Sequence, residues 1–234
     1  MPYTYEYPAH YLTVDPVIFG ARSTRDGCDL KILLIERGLT DQPFFGMWAL
    51  PGGFVGPKES AEEAAARELE QETGVTDAYL EQLHIFSDPE RDPRGRVVTI
   101  AFMGLVDRSA CRLRAGTDAA RAEWFDVKSL PPLAFDHADI VAVALERLRG
   151  KVRTEPFAFH LLPPTFTISE LHTLCETVYG RPLDMPNFRR CLARMDVLRE
   201  AGEETNVSHR PAKLYRFDEK AYARLLRRGQ TFQL

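Results

Sequence analysis

Residues 67–75 read RELEQETGV, with three glutamates inside five positions. On a helix that turns about 100° per residue, Ala61, Ala64, Ala65 and Leu69 fall on one side, and Glu63, Arg67 and Glu70 on the other. Glu68 and Glu72, four residues apart, project from the middle of the small-residue side, with Gln71 at its margin. Inward carboxylates need compensation, because an unpaired buried charge is strongly destabilising. Arginines can supply it, and so can a metal ion. The flanks shift the balance toward the ion. Ser60 and Glu63 form a capping box, Gly74 ends the helix, and Pro51-Gly52-Gly53 lets a backbone loop come close to whatever the acids hold. A loop, a helix and paired hard oxygen donors suit Mg²⁺ or Mn²⁺ carrying a diphosphate.

Around this helix the chain reads as α/β. Strand-like runs cover residues 11–19, 31–36 (KILLIE), 79–86, 97–106 and 124–127. A second helix is predicted from about Asp136 to Arg149, where Ile140, Ala144, Leu145 and Leu148 recur at helical spacing and Gly150 supplies a stop. LLPPTF (161–166) acts as a hinge, since its two prolines forbid helix continuation. Thr167 and Glu170 then make another capping box ahead of the apolar stripe Ile168, Leu171, Leu174, Cys175 and Val178, and Gly180 ends that helix. A helix from Asp184 to about Arg199 follows, with Pro186 tolerated in its first turn. Residues 202–217 read as a two-stranded ribbon around NVSHRPAK, and 218–228 as a last short helix. Helix, turn, helix and ribbon predict a winged helix.

The chain has 234 residues, 44% hydrophobic and 27% charged, which fits one larger and one smaller globular domain. No run of 18 apolar residues occurs, and MPYTYEYPAHYL lacks the layout of a secretory signal, so a cytoplasmic protein without membrane partners is expected. Cys28, Cys111, Cys175 and Cys191 are scattered, which suits reduced thiols better than disulfides or zinc. The net charge of −4 is unevenly placed: residues 151–234 carry 14 basic against 10 acidic side chains, a net of +4, and residues 1–150 a net of −8. On the helix from Asp184, Phe188, Leu192 and Met195 share one face, while Asn187, Arg190 and Arg194 cluster on the opposite one. That basic face suits base edges and phosphates in a major groove, or simply solvent. Arg189 at its flank, and Arg210 and Lys213 in the ribbon, are placed for phosphates.

Gly53, Glu59 and the run from Arg67 to Val75 resemble the Nudix box, GX5EX7REUXEEXGU, in which U is aliphatic. Each fixed position matches except Gln71, which stands where that family has a glutamate. The resemblance implies a Nudix α/β/α sandwich with a mixed sheet and metal-assisted hydrolysis of a diphosphate. It casts Glu68 and Glu72 as metal ligands or base, Gly53 as a backbone ligand, Gln71 as a weakened ligand, and Glu59 with Arg67 as mostly architectural. At 4 Å and an effective dielectric near 20, one unit charge acting on another is worth about 4 kcal/mol. An amide oxygen still ligates and is cheaper to desolvate, so the loss is smaller, and hydrolysis is expected to suffer more than ligand binding.

Four further segments, 44–55 (FFGMWALPGGFV), 86–102, 117–127 and 133–149, resemble ADP-ribose-handling Nudix domains. The tail, 161–198 with 208–217, resembles the winged-helix domain of NrtR-type regulators of NAD metabolism. This implies an ADP-ribose-binding domain over 1–154, a DNA-binding domain over 155–234, a homodimer, an operator duplex as partner and weakened catalysis. The expectation is a repressor. The alternative is an active Mg²⁺-dependent ADP-ribose pyrophosphatase whose tail serves dimerisation. Asp92, Arg94 and Arg96 are candidates for a phosphate or ribose or for a solvated loop, Arg37 for a phosphate or for capping the sheet edge, and Trp48 and Phe54 for stacking an adenine or for the core. Asp118 and Glu123 are candidate second bases.

Overall fold

A computed structural model describes residues 9–24, 27–38, 40, 43–109, 111–114, 119–205 and 211–233. Seven strands form one sheet: β1 (Tyr11–Thr24), β2 (Gly27–Arg37), β3 (Trp48–Ala49), β4 (Gly53–Phe54), β5 (Tyr79–Phe86), β6 (Val97–Asp107) and β7 (Ala119–Asp126). Their order is β3-β2-β1-β6-β5, with β4 paired to β1 and β7 to β2. Antiparallel registers place Val14 opposite Gly53 and Ile35 opposite Ala49, which brings the Pro51-Gly52-Gly53 loop over the centre of the sheet.

Helix α1 (Ala61–Thr73) begins with the capping box expected from the sequence: Ser60 accepts from the Glu63 N–H and Glu63 from the Ser60 N–H. Gly74 closes it in left-handed backbone at φ 75°. Ala64 and Ala65 are fully buried against Val14 and Phe102, so small side chains let the helix lie close to the sheet and bring Glu68 and Glu72 with it.

The chain divides into two compact units: Met1–Phe19, Ile32–Gly104 and Arg112–Ala144 form one, and Gly20–Lys31, Leu105–Cys111 and Leu145–Leu234 the other. Helix α2 (His137–Thr154) crosses that division in sequence. It does not stop at Gly150 as expected. The turn beyond that glycine is held by Val152, which is fully buried, and the chain leaves helical backbone at Glu155 ahead of Pro156.

In the second unit a 3-10 turn (Pro156–Leu161) leads to β8 (Phe166–Thr167), α3 (Ile168–Tyr179), α4 (Met185–Met195), β9 (Leu198–Glu203), β10 (Lys213–Phe217) and α5 (Glu219–Arg227). The strands form a small sheet, β8-β10-β9. The Thr167–Glu170 capping box and the Gly180 stop are both present on α3. Helix α4 ends four residues sooner than the sequence suggested. Asp196 turns into left-handed backbone (φ 50°), Val197 is buried, and Leu198 and Arg199 pair with Phe217 and Arg216 of β10. Leu171, Leu174, Cys175 and Val178 of α3 share this unit's core with Phe188, Leu192 and Met195 of α4. Among the described residues no helix is long and apolar enough to cross a membrane.

Candidate functional site

Arg67 organises the first part of the site. Its guanidinium grips Glu59 with two bonds of 2.7 and 2.9 Å, reaches Glu68 Oε1 at 2.7 Å and Gln71 Oε1 at 3.1 Å, and touches the Phe54 carbonyl at 3.1 Å. A planar donor with five N–H groups can serve five acceptors where a lysine could not. Hydrogen bonds from Arg67, reinforced by the Gly56 N–H, hold the Glu59 carboxyl down to about 2. The bonds that Arg67 donates to Glu59 and then to Glu68 raise its pKa above the ordinary value. Gln71 is exposed, and its amide oxygen is part of this fan.

The glycine loop is tied down at two points. The Gly52 N–H donates to Glu72 Oε2 at 2.9 Å, and the Leu50 N–H donates to His137 Nδ1 at 2.9 Å. A Cβ on Gly53 would overlap the Glu68 carboxylate, so the absent side chain is what lets that acid sit against the loop. The loop, β1, β2, α1 and the segment 91–94 surround a cavity of 380 Å³ in the first unit.

Glu68 and Glu72 line this cavity with Gly53. Two hard carboxylates beside a backbone loop fit a divalent ion that completes its shell with water and phosphate oxygens. Among the described residues no three His, Cys, Asp or Glu side chains stand together as a ready-made ion site.

The cavity also has a floor that sequence reasoning missed. Arg91, buried, holds Asp136 with bonds of 2.6 and 2.8 Å and reaches Asp15 at 3.5 Å. Burial opposes the Arg91 charge, but the Asp136 hydrogen bonds together with the charges of Asp15, Asp136 and Asp92 outweigh it and raise the pKa. His137 Nε2 lies 3.6 Å from Asp15 Oδ1, and burial pushes this imidazole down despite that neighbour, consistent with a neutral ring accepting at Nδ1. Asp15 interrupts an apolar strand, the same cue that exposed Glu68 and Glu72, so it was readable; Arg91, Phe135 and His137 carried no comparable signal.

One wall is cationic and aromatic. The Arg37 guanidinium lies 4.9 Å from the Phe135 ring, and Arg94 lies 5.4 Å from Phe135 and 5.5 Å from Phe54. Phe135 adopts left-handed backbone (φ 52°), which is costly for an aromatic residue. Burial and then the Arg94 charge lower the Arg37 pKa. Burial would raise the Asp92 carboxyl, but bonds from the Arg94 side chain and N–H, together with the Arg94 and Arg91 charges, bring it below the usual value.

Of the ligand candidates, Arg37, Phe54, Asp92 and Arg94 line the cavity. Trp48 and Arg96 are not among its lining residues: Trp48 packs on Phe125 beneath Arg121, and Arg96 donates to the Ser87 carbonyl. Glu123 is exposed and pairs with Arg121; Asp118 lies outside the described residues. In the second unit, Asn187, Arg189, Arg190 and Arg194 are all exposed on α4, while Phe188, Leu192 and Met195 are buried. Lys213 is exposed on β10 and bound to Glu200 at 2.9 Å. Arg210 lies outside the described residues.

Residues 15–144 match the NUDIX domain, and residues 158–217 match the NrtR DNA-binding winged helix domain. The chain is 35% identical to the ADPR responsive transcriptional repressor NtrR of Acinetobacter baylyi over 91% of this chain and 84% of that protein. It superimposes on Shewanella oneidensis NrtR complexed with a 27mer DNA with a TM-score of 0.77 at 33% identity, covering 91% of this chain and 95% of that one. The NUDIX domain of the same Shewanella protein complexed with ADP ribose matches with a TM-score of 0.53 at 36% identity, covering 61% of this chain and 90% of that one. A Nudix box on a capped helix, a cavity under its glycine loop and a C-terminal winged helix agree with these likenesses. The chain belongs to the Nudix family, in the NrtR-type group that joins a NUDIX domain to a DNA-binding winged helix.

Proposed function

We propose that this protein is an ADP-ribose-responsive transcriptional repressor of NAD-metabolism genes that works as a homodimer in the cytoplasm. The observation that carries this reading is the presence in one chain of two features: a cavity walled by arginines, carboxylates and aromatic rings, and a winged helix whose α4 exposes Asn187 and three arginines. Residues 1–154 take the nucleotide and 155–234 the operator. Arg37 and Arg94 bind phosphate oxygens, Phe54 and Phe135 offer faces to planar groups, and Asp92 orients Arg94. Glu68 and Glu72, with Gln71 and Gly53, hold Mg²⁺ or Mn²⁺. That ion, when bound, neutralises diphosphate charge. Ligand changes DNA affinity only if it prefers one arrangement of the dimer over another.

The test is a mobility-shift titration of the full-length protein on a duplex covering its own promoter, with and without ADP-ribose. A midpoint displaced by ADP-ribose is expected. An unmoved midpoint removes the responsiveness, and no shifted complex at low salt removes the DNA reading.

A second reading, an ADP-ribose pyrophosphatase, is favoured by one observation: Glu68 and Glu72 survive and face the same cavity. AMP released from ADP-ribose with Mg²⁺ or Mn²⁺, beyond that of Glu72→Gln, supports it. Gln71→Glu restores a charge and should raise turnover; an unchanged rate contradicts the account of a weakened site.

A further inference from the structure

The turn between α3 and α4 contains Arg181, Pro182 and Leu183, framed by Gly180, which closes α3, and Asp184, which caps α4. Pro182 has no N–H to offer. Leu183 has both of its backbone polar groups taken by side chains of α3. Its N–H donates to Glu176 Oε1 at 2.9 Å, and its carbonyl accepts from His172 Nε2 at 3.0 Å. His172 and Glu176 stand one turn apart on α3, with Nδ1 3.5 Å from Oε2. The His172 ring is buried and meets Phe188, in the first turn of α4, edge-on at 5.0 Å.

Resting on the DNA-binding reading, we propose that His172 and Glu176 are positioning residues: their clamp on Leu183 fixes the orientation in which α4 presents Asn187 to base edges, with Arg190 and Arg194 on the same face. Burial of Phe188, Leu192 and Met195 holds α4 to the core, but apolar contact is non-directional and tolerates small slides and rotations. Hydrogen bonds to the N–H and the C=O of one residue leave the backbone in different directions, so together they set both position and rotation of the residue that precedes the α4 cap. Base readout needs that precision. Phosphate contact through long arginines does not.

The experiment compares full-length variants on two duplexes: one enriched by the wild-type protein from a random library, and a random-sequence duplex of the same length. His172→Leu and Glu176→Ala should each weaken binding to the enriched duplex by about tenfold, equivalent to about 1.4 kcal/mol. Binding to the random duplex should stay within about twofold, since it depends on phosphate charge. His172→Gln keeps an N–H donor and Glu176→Gln keeps a carbonyl acceptor, so both should recover most of the selectivity. Unchanged selectivity in the Leu and Ala variants overturns the clamp. Parallel loss on both duplexes assigns the pair to folding instead and also overturns it. Failure of the wild-type protein to enrich any duplex removes the DNA reading itself, and the clamp with it.

Discussion

Gly52 and Gly53 lack side chains for different reasons, and their alanine variants should separate stability from binding. At Gly52, φ is 153° and a Cβ would overlap the Val14 carbonyl, a backbone atom that cannot move aside. Gly52→Ala should therefore lower unfolding free energy by about 2 kcal/mol or more, read from a denaturant midpoint. At Gly53 the three atoms nearest the Cβ all belong to the Glu68 carboxylate, the far end of a flexible side chain. Gly53→Ala should leave the midpoint nearly unchanged while weakening Mg²⁺-dependent ADP-ribose binding by about tenfold in calorimetry, the scale of one lost charge-assisted contact. Equal effects of the two variants would refute this division. Glu59 supplies a pH signature. Its carboxyl lies near 2 in the folded chain because Arg67 and the Gly56 N–H favour the charged form, against 4.5 as its ordinary value. A depressed carboxyl contributes stability that is fully present above about 4.5 and is lost as pH falls toward about 2. The stability difference between wild type and Glu59→Gln should shrink as pH falls through that window, and a gap constant from pH 6 to 2.5 would contradict the assignment. Glu68 and Glu72 were legible because they share one helix four residues apart, and Gly53 and Glu59 because they precede it at fixed spacing. Arg91, Asp136 and His137 were not, because their partnership is made by a loop and a helix start brought together only in the fold.

Among the elements, α1 and α3 were legible to the residue at their starts, since a capping box writes both of its bonds into the sequence. Ends were harder. A mid-sequence glycine stops a helix only where the chain turns into left-handed backbone, and at Gly150 the burial of Val152 keeps the helix running. At α4, strand pairing of Leu198 with Phe217 claims residues that a helical pattern could also have used. The two-residue strands β3 and β4 exist through pairing with β2 and β1 and leave no periodic trace. For α4 the surviving pattern makes a quantitative prediction. Arg190 and Arg194 are exposed on the face opposite Phe188 and Leu192. If either neutralises one phosphate, its change to alanine should flatten the slope of log K against log salt by about 0.9 on any duplex. Asn187→Ala, aimed at a base edge, should leave that slope alone and relax sequence preference. Slopes unchanged in both arginine variants would move the phosphate contacts elsewhere.

For the whole molecule, the decisive quantity is the coupling between nucleotide and DNA, and thermodynamics restricts it before any route is known. If ADP-ribose changes operator affinity by some factor, saturating operator must change ADP-ribose affinity by the same factor. Couplings of this kind are typically about 1–3 kcal/mol, or roughly 5–150-fold. The two measurements use different ends of the chain: anisotropy of labelled DNA reports the face that carries Asn187 and Arg190, and calorimetry of ADP-ribose reports the cavity under Gly53. The coupling factors should agree within error. Glu72→Gln provides the control, because Glu72 holds the Gly52 N–H and lines the cavity. It should weaken ADP-ribose binding and, at a fixed subsaturating ADP-ribose concentration, reduce the response of DNA affinity, while leaving DNA affinity without nucleotide unchanged. Two unequal factors for the wild-type protein would mean that nucleotide hydrolysis, or a second species, intrudes on the equilibrium, and would favour the pyrophosphatase reading. A Glu72→Gln variant with altered DNA affinity in the absence of nucleotide would show that this carboxylate acts on the DNA-binding state without any ligand, and the sensing role proposed for the cavity would fail.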